Sequence, residues 1–229
     1  MDILRRAKEE GRKVLTEIES KEVLKEAGIP VLEARLARTK KEAVALAREI
    51  GLPVVLKVVS PDITHKSDVG GVKVGLKSIK EVERAYSEIK RSAAEKVPGA
   101  EIWGVSVQKM APQGVELIIG MTKDEQFGPV IMFGLGGIFV EVLKDVSFRI
   151  VPLTRRDASE MIREIKGFPI LGGYRGEPVD ISAIEDMIMK LSEFAYKNED
   201  VKEIDICLLY TSDAADEGLG VDLGGRRII

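Results

Sequence analysis

Residues 53–76 read PVVLKVVSPDITHKSDVGGVKVGL, and how this stretch divides decides the fold. Pro53 to Val59 is a continuous apolar run interrupted by one lysine, Lys57, the pattern of a short strand with largely buried faces. Gly71 to Leu76 reads as a second strand. The loop between them carries His65, the only histidine of the chain, followed within six positions by a lysine, an aspartate and the pair Gly70-Gly71. Such a loop is either a solvated hairpin turn or a place where chemistry is done.

Outward from this pair the chain alternates strands with amphipathic helices. From Lys8 to Ala27 the pattern predicts helices, with Gly28 as C-cap. Ile29 to Val31 and Ala34 to Ala37 read as short extended segments. Thr39 is a good N-cap for a helix carrying Ala43, Leu46, Ala47 and Ile50 at helical spacing. A further helix has Ile79, Val82, Tyr86, Ile89 and Ala93 on one face, and Trp103 to Met110 returns as a strand. The result is a β-β-α-β-β-α-β unit.

The second half opens with strands Val115 to Met121 and Val130 to Phe133. The turn GLGG at 134–137 leads into a strand at Ile138 to Val142. Helices follow at Arg155 to Ile165 and Ile184 to Tyr196, and Lys202 to Ile206 begins a closing strand. The expected class is α/β with two lobes: a helical segment 1–28, a first subdomain 29–108, and a second subdomain 109–206 left incomplete.

Residues 207–229, CLLYTSDAADEGLGVDLGGRRII, depart from this pattern. Periodicity is expected to stop after EIDI, at Ile206. Cys207 to Glu217 and Gly220 to Ile229 resemble the in-frame translation of a transposase-type DNA library adapter, so the tail is expected to be foreign to the fold.

Composition narrows the function classes. Of 229 residues, 45% are hydrophobic and 32% charged, with a formal charge of −3, which describes a globular chain rather than a disordered one. Near-neutral charge gives no footprint for nucleic acid or anionic membrane. The apolar runs are far shorter than a membrane span, and the charged N-terminus has no signal-peptide core. One cysteine cannot form an internal disulfide, so a cytoplasmic location is expected.

Candidate chemistry rests on a few residues. A buried ammonium at Lys57 needs an anion, so it is either a phosphate contact or an edge-strand lysine reaching solvent. Glu116 and Glu141 sit in apolar strands, suited to ribose hydroxyls or magnesium but equally to structural salt bridges. Asp145 and Arg149 follow a buried strand, at a cleft mouth or simply on the surface. Glycines at 70 and 71 let backbone N–H groups approach phosphate oxygens. His65 has the residue type for a nucleophile or general base near neutral pH.

Taken together, ESKEVLKEAGIPV, GLPVVLKVVSPDITHKSDVGGVKVGL, GVELIIGMTKDEQFGPVIMFGLGGIFVEVLKDVSFRIVPL and KEIDI resemble an ATP-grasp domain. More narrowly, the chain is similar to the β subunit of ADP-forming acyl-CoA synthetases, of the archaeal type with separate subunits. The resemblance spans residues 19–206, and the pairing of HKSDVGGV with FGPVIMFGLGGIFVEVLKD is its specific part. It implies that Lys57 contacts nucleotide phosphates, Gly70 and Gly71 line them, and Glu116 holds the ribose. It also implies that the backbone of Val107, Gln108, Lys109 and Met110 reads the adenine edge. Glu141 would support the Mg²⁺ and phosphate site, and Asp205 would be a catalytic carboxylate at the metal and phosphohistidine site. His65 would relay a phosphoryl group from a CoA-binding α subunit, in an α2β2 assembly, to ADP, giving ATP. A family asparagine that ligates magnesium is replaced here by Cys207, so this chain is expected to be impaired in nucleotide turnover relative to the natural subunit. Two rival readings are a non-catalytic ATP-grasp module and a succinyl-CoA-synthetase-type β subunit; the relay histidine distinguishes the proposal from both.

Overall fold

The computed structural model describes residues 2–111, 114–137, 144–173, 178–210 and 220–221, the last six of them (207–210 and 220–221) by backbone alone. The chain divides into two compact units. The first comprises residues 1–23 and 32–110, the second 24–31 and 111–229.

In the first unit, helices α1 (Asp2–Glu9) and α2 (Glu17–Glu26) precede β1 (Ala34–Ala37), α3 (Lys40–Ile50), β2 (Val54–Val59), β3 (Val72–Leu76), α4 (Ile79–Lys96) and β4 (Gly104–Lys109). The helices begin where the sequence can cap them. Thr39 accepts from the Glu42 amide, and Ser78 with Glu81 forms a reciprocal capping box. The four strands form an antiparallel sheet in the order β1-β4-β2-β3. Strand β2 is therefore interior, and all six of its residues are buried. Side chains alternate across a strand, which sends Val54, Leu56 and Val58 into a core shared with Ala43, Ala47, Val82 and Ile89. Val55, Lys57 and Val59 point to the other face.

Ile29 to Val31 does not form the first strand that was expected. Gly28, at φ +74°, closes α2, its N–H donating to Lys25 O and that of Ile29 to Leu24 O. Ile29 thus spends its amide on the helix terminus, and Pro30 has none to offer a ladder.

The second unit contains β5 (Val115–Asp124), β6 (Gly128–Leu135), β7 (Val146–Ile150), α5 (Arg155–Glu164), α6 (Phe168–Leu171), α7 (Ile181–Lys197), β8 (Glu203–Tyr210) and β9 (Gly220–Val221). Its sheet is also antiparallel, in the order β7-β6-β5-β8-β9. Leu117, Ile119, Ile131, Phe133, Ile204 and Ile206 share one buried face, over which α5 and α7 bring Met161, Ile162, Ile184 and Ile188. The opposite face carries Glu116, Gly120 and Asp205 in register, with Phe148 and Ile150 about half exposed.

Three features differ from, or fall outside, the sequence expectation. Strand β7 was not anticipated because its polarity is inverted. Ser147 is the buried residue, donating to Met161 O at 2.8 Å, while Phe148 and Ile150 face outward. The closing strand does not stop at Ile206 but continues to Tyr210, pairing Cys207 with Ile118 and Leu209 with Glu116. Strand pairing needs only backbone groups and residues tolerant of extended geometry, and Cys-Leu-Leu-Tyr meets both conditions. The strand expected at Ile138 to Val142, with Glu141, lies outside the described residues. Among the described residues, no helix is long and apolar enough to cross a membrane.

Candidate active site

Lys57 occupies the middle of the interior strand β2, on the face away from the apolar core, and is 3% exposed. This removes the edge-strand alternative, because the ammonium does not reach solvent. It donates to Glu17 Oε1 at 3.1 Å. The same oxygen lies 3.3 Å from Lys21 Nζ, which donates to Gln108 Oε1 at 2.6 Å. Ser106, directly opposite Lys57 on β4, points its hydroxyl at Glu17 Oε2 (3.5 Å) and at Lys57 O (3.4 Å). All five side chains are buried.

Helix α2 delivers Glu17 and Lys21 one turn apart, and its first turn explains which acid goes where. Thr16 and Glu19 form a capping box, with the Thr16 N–H donating to Glu19 Oε2 at 2.9 Å. Arg12 adds two hydrogen bonds to Glu19, at 2.9 and 2.8 Å, while its guanidinium sits 5.4 Å from the Trp103 ring centroid. Burial alone would push the Glu19 carboxyl up. The bonds from Arg12 and Thr16 outweigh that and hold it below the usual range. With Glu19 committed to the cap, Glu17 is the acid that faces the sheet. Sequence reasoning missed Glu17, Lys21 and Ser106; the Thr-Glu-Ile-Glu box at 16–19 was the available signal.

His65 is exposed on the loop between β2 and β3, whereas Lys66 beside it is buried. The loop is pinned from several directions. Gly71 N–H donates to Lys66 O at 2.7 Å and Gly70 N–H to Ser67 O at 3.0 Å. From α4, Ser92 Oγ donates to Val69 O and Lys96 Nζ to Asp68 O, both at 2.7 Å. The two glycine amides that the sequence reading turned toward phosphate are thus engaged inside the loop. Their glycine character has another reason: Gly70 has φ +67°, and a Cβ on Gly71 would lie 2.5 Å from Val58 Cγ1.

Strand β4 carries three of the four residues assigned to the base, and Met110 follows directly after it. Val107 is in the apolar core and Gln108 in the lysine network. Both have strands on either side, whereas β1 ends opposite Gln108. That confines any backbone contact with a base to Lys109 and Met110. Lys109 Nζ holds the carbonyls of Gly51 and Leu52, and the Met110 N–H donates to Pro53 O.

In the second unit the GLGG turn folds directly over Glu116. Gly136 N–H donates to Glu116 O at 2.7 Å, and Gly137, at φ +59°, lies so close that a Cβ would strike Glu116 Oε2. Asp205 pairs across from Gly120, whose missing side chain leaves room for the carboxylate: a Cβ there would meet Asp205 Oδ1 at 3.3 Å. Glu116 and Asp205 share the open face of the sheet, four strand positions apart or about 13 Å. Asp145 and Arg149 have structural partners. Asp145 accepts from the amides of Lys166 and Gly167, and Arg149 is 2.8 Å from Glu164. Among the described residues no group of three or more His, Cys, Asp or Glu side chains forms a metal cluster.

Comparison with known proteins decides the family: residues 6–215 match the ATP-grasp domain model. The chain belongs to the ATP-grasp family. The ATP-grasp chain is 52% identical to the β subunit of ADP-forming acetate–CoA ligase I of Pyrococcus furiosus, over 96% of this chain and 94% of that protein. It superposes with a TM-score of 0.93, at 50% identity, on acetyl-coenzyme A synthetase 1 of Candidatus Korarchaeum cryptofilum in complex with coenzyme A and Ca-AMPCP; all of this chain and 98% of that one are covered. Another structure of the same enzyme holds coenzyme A and Mg-AMPPCP, with its phosphohistidine segment pointing towards the nucleotide-binding site. It gives a TM-score of 0.83 at 47% identity, with the same coverage. The resemblance carried by HKSDVGGV and FGPVIMFGLGGIFVEVLKD is confirmed.

Proposed function

We propose that this chain is the nucleotide-binding β subunit of an ADP-forming acyl-CoA synthetase of the acetate–CoA ligase type. With a CoA-binding α subunit, in a cytoplasmic α2β2 assembly, it interconverts acyl-CoA, ADP and phosphate with carboxylic acid, ATP and CoA. The observation that carries this reading is His65, exposed on a pinned loop, in a chain homologous over nearly its whole length to such β subunits.

In the ATP-forming direction a ring nitrogen of His65 attacks the phosphorus of a phosphohistidine on the α subunit. An N–P bond forms at His65 as the donor N–P bond breaks. A terminal β-phosphate oxygen of ADP then attacks the same phosphorus, and neutral His65 is regenerated. Lys57 meets the nucleotide phosphates, Gly70 and Gly71 shape the loop beside them, Lys109–Met110 at the end of the 107–110 segment meets the base, and Glu116 meets the ribose. Phosphoryl transfer needs little covalent chemistry beyond this, so positioning and charge carry it.

The residues fit a nucleotide-borne Mg²⁺. It takes hard oxygen ligands, and one or two carboxylates with substrate phosphates suffice, which Asp205 on the open face can supply. Glu141 would be the second carboxylate. Bound there, the ion would offset negative charge on the phosphate oxygens.

The test is transfer of radiolabelled phosphate from acyl-CoA and phosphate to ADP by the chain with its α subunit, wild type against His65→Ala. Label should stop at the α subunit in the mutant while Mg-ADP binding persists. Undiminished label in ATP would overturn the relay.

A further inference from the structure

We propose that Glu17 is a positioning residue of the nucleotide site: it holds the Lys57 ammonium where a phosphate oxygen must meet it. The inference rests on the reading of Lys57 as the phosphate lysine. Its basis is geometric, since Glu17 Oε1 is shared between Lys57 Nζ at 3.1 Å and Lys21 Nζ at 3.3 Å, and the carboxylate side chain is 1% exposed.

A purely structural role is a poor account of this arrangement. The cap of α2 is already made by Thr16 and Glu19, so helix initiation does not need Glu17. Packing against β2 and β4 does not need charge either, because the other face of the same strands is packed with aliphatic side chains. Replacing a buried ionic group with apolar residues of similar volume is commonly neutral or stabilising, so burying a carboxylate and two ammoniums gives up stability. What the carboxylate gives in return is order. Lysine is a flexible point charge, and a fixed anion beside it selects one position. An ammonium has three donors, so pairing with Glu17 is compatible with a bond to phosphate. Lys21, bridging Glu17 to Gln108, ties the carboxylate to strand β4 in turn.

The experiment is calorimetric titration of Mg-ADP into the full chain for wild type, Lys57→Met, Glu17→Gln, Glu17→Asp and the double variant Glu17→Gln/Lys57→Met, with thermal unfolding of each. Lys57→Met should weaken binding by more than about tenfold, and Glu17→Gln by about tenfold. The double variant should bind no more weakly than Lys57→Met alone, because Glu17 acts through Lys57. Glu17→Asp keeps the charge but draws it back by one methylene, so its affinity should fall in between, about threefold below wild type. If Lys57→Met binds like wild type, the reading of Lys57 itself fails. If Lys57→Met is weakened while Glu17→Gln binds like wild type, whatever its unfolding temperature, the positioning role fails and the reading of Lys57 stands. Full additivity in the double variant also overturns it. Should Glu17→Gln not fold, Glu17→Asp decides, with wild-type affinity refuting the proposal.

Discussion

Replacing Gly71 with alanine should displace the loop that carries His65, and the structure sets the size of the effect. A Cβ at Gly71 would lie 2.5 Å from Val58 Cγ1 and 2.8 Å from Lys66 O. Neither neighbour can yield easily. Val58 is fully buried in the core of the first unit, and Lys66 O already accepts the Gly71 N–H at 2.7 Å. Forcing a methyl into such a site costs about 2–3 kcal/mol, at the upper part of the overpacking range. Relief by a shift of the loop moves His65, and a misplacement of about 1 Å can slow a reaction by about a hundredfold. Urea unfolding and single-turnover labelling of the Gly71→Ala variant read the two effects separately. Val58→Ala should relieve part of the clash, making the double variant less destabilised than the sum of the single ones. The comparison with Gly70→Ala is informative: there the obstacle is Ser92 Oγ at 2.9 Å, which can rotate away only by giving up its bond to Val69 O, so the loss is that of the positive φ plus one hydrogen bond, about 1 kcal/mol each. If Gly71→Ala matches wild type in stability and labelling, the loop is not held as described and the reasoning fails.

Two further outcomes follow from the hydrogen-bond pattern. Asp145→Ala removes the acceptor for the amides of Lys166 and Gly167 and should cost about 1–2 kcal/mol in urea unfolding, with Mg-ADP affinity unchanged; weakened binding would return Asp145 to the site. Glu19→Gln should destabilise by about 1–3 kcal/mol at neutral pH. The folded Glu19 titrates below the unfolded value of about 4.3, so its contribution is complete above that value and is lost as pH falls through it toward the folded pKa. The gap between wild type and Glu19→Gln should therefore close on acidification from pH 6 to about pH 3, and a gap that widens would contradict the assignment.

Apolar spacing and local caps made most elements legible. Thr39 and Gly28 act through hydrogen bonds to residues three positions away, and such contacts are written in the chain itself. Strand β7 was illegible because what faces the helices there is a serine satisfied by a distant carbonyl, Met161 O, while its aromatic residue points outward. Asp145 looked like a site residue because an acid near a glycine-rich strand gives no sign of its partners, and those are amides some twenty residues on.

The sequence by itself determined the family and the residue types available for phosphoryl chemistry, with the sole histidine on a loop between two strands. These are local matters of order, spacing and side-chain chemistry. Tertiary structure alone decided what Lys57 does before a ligand arrives, because Glu17 lies 40 residues away and meets it only across the packed face of the sheet. It also decided that Gly70 and Gly71 bend the loop rather than offer their amides, since an N–H can serve one acceptor well and the fold supplies that acceptor from within the loop.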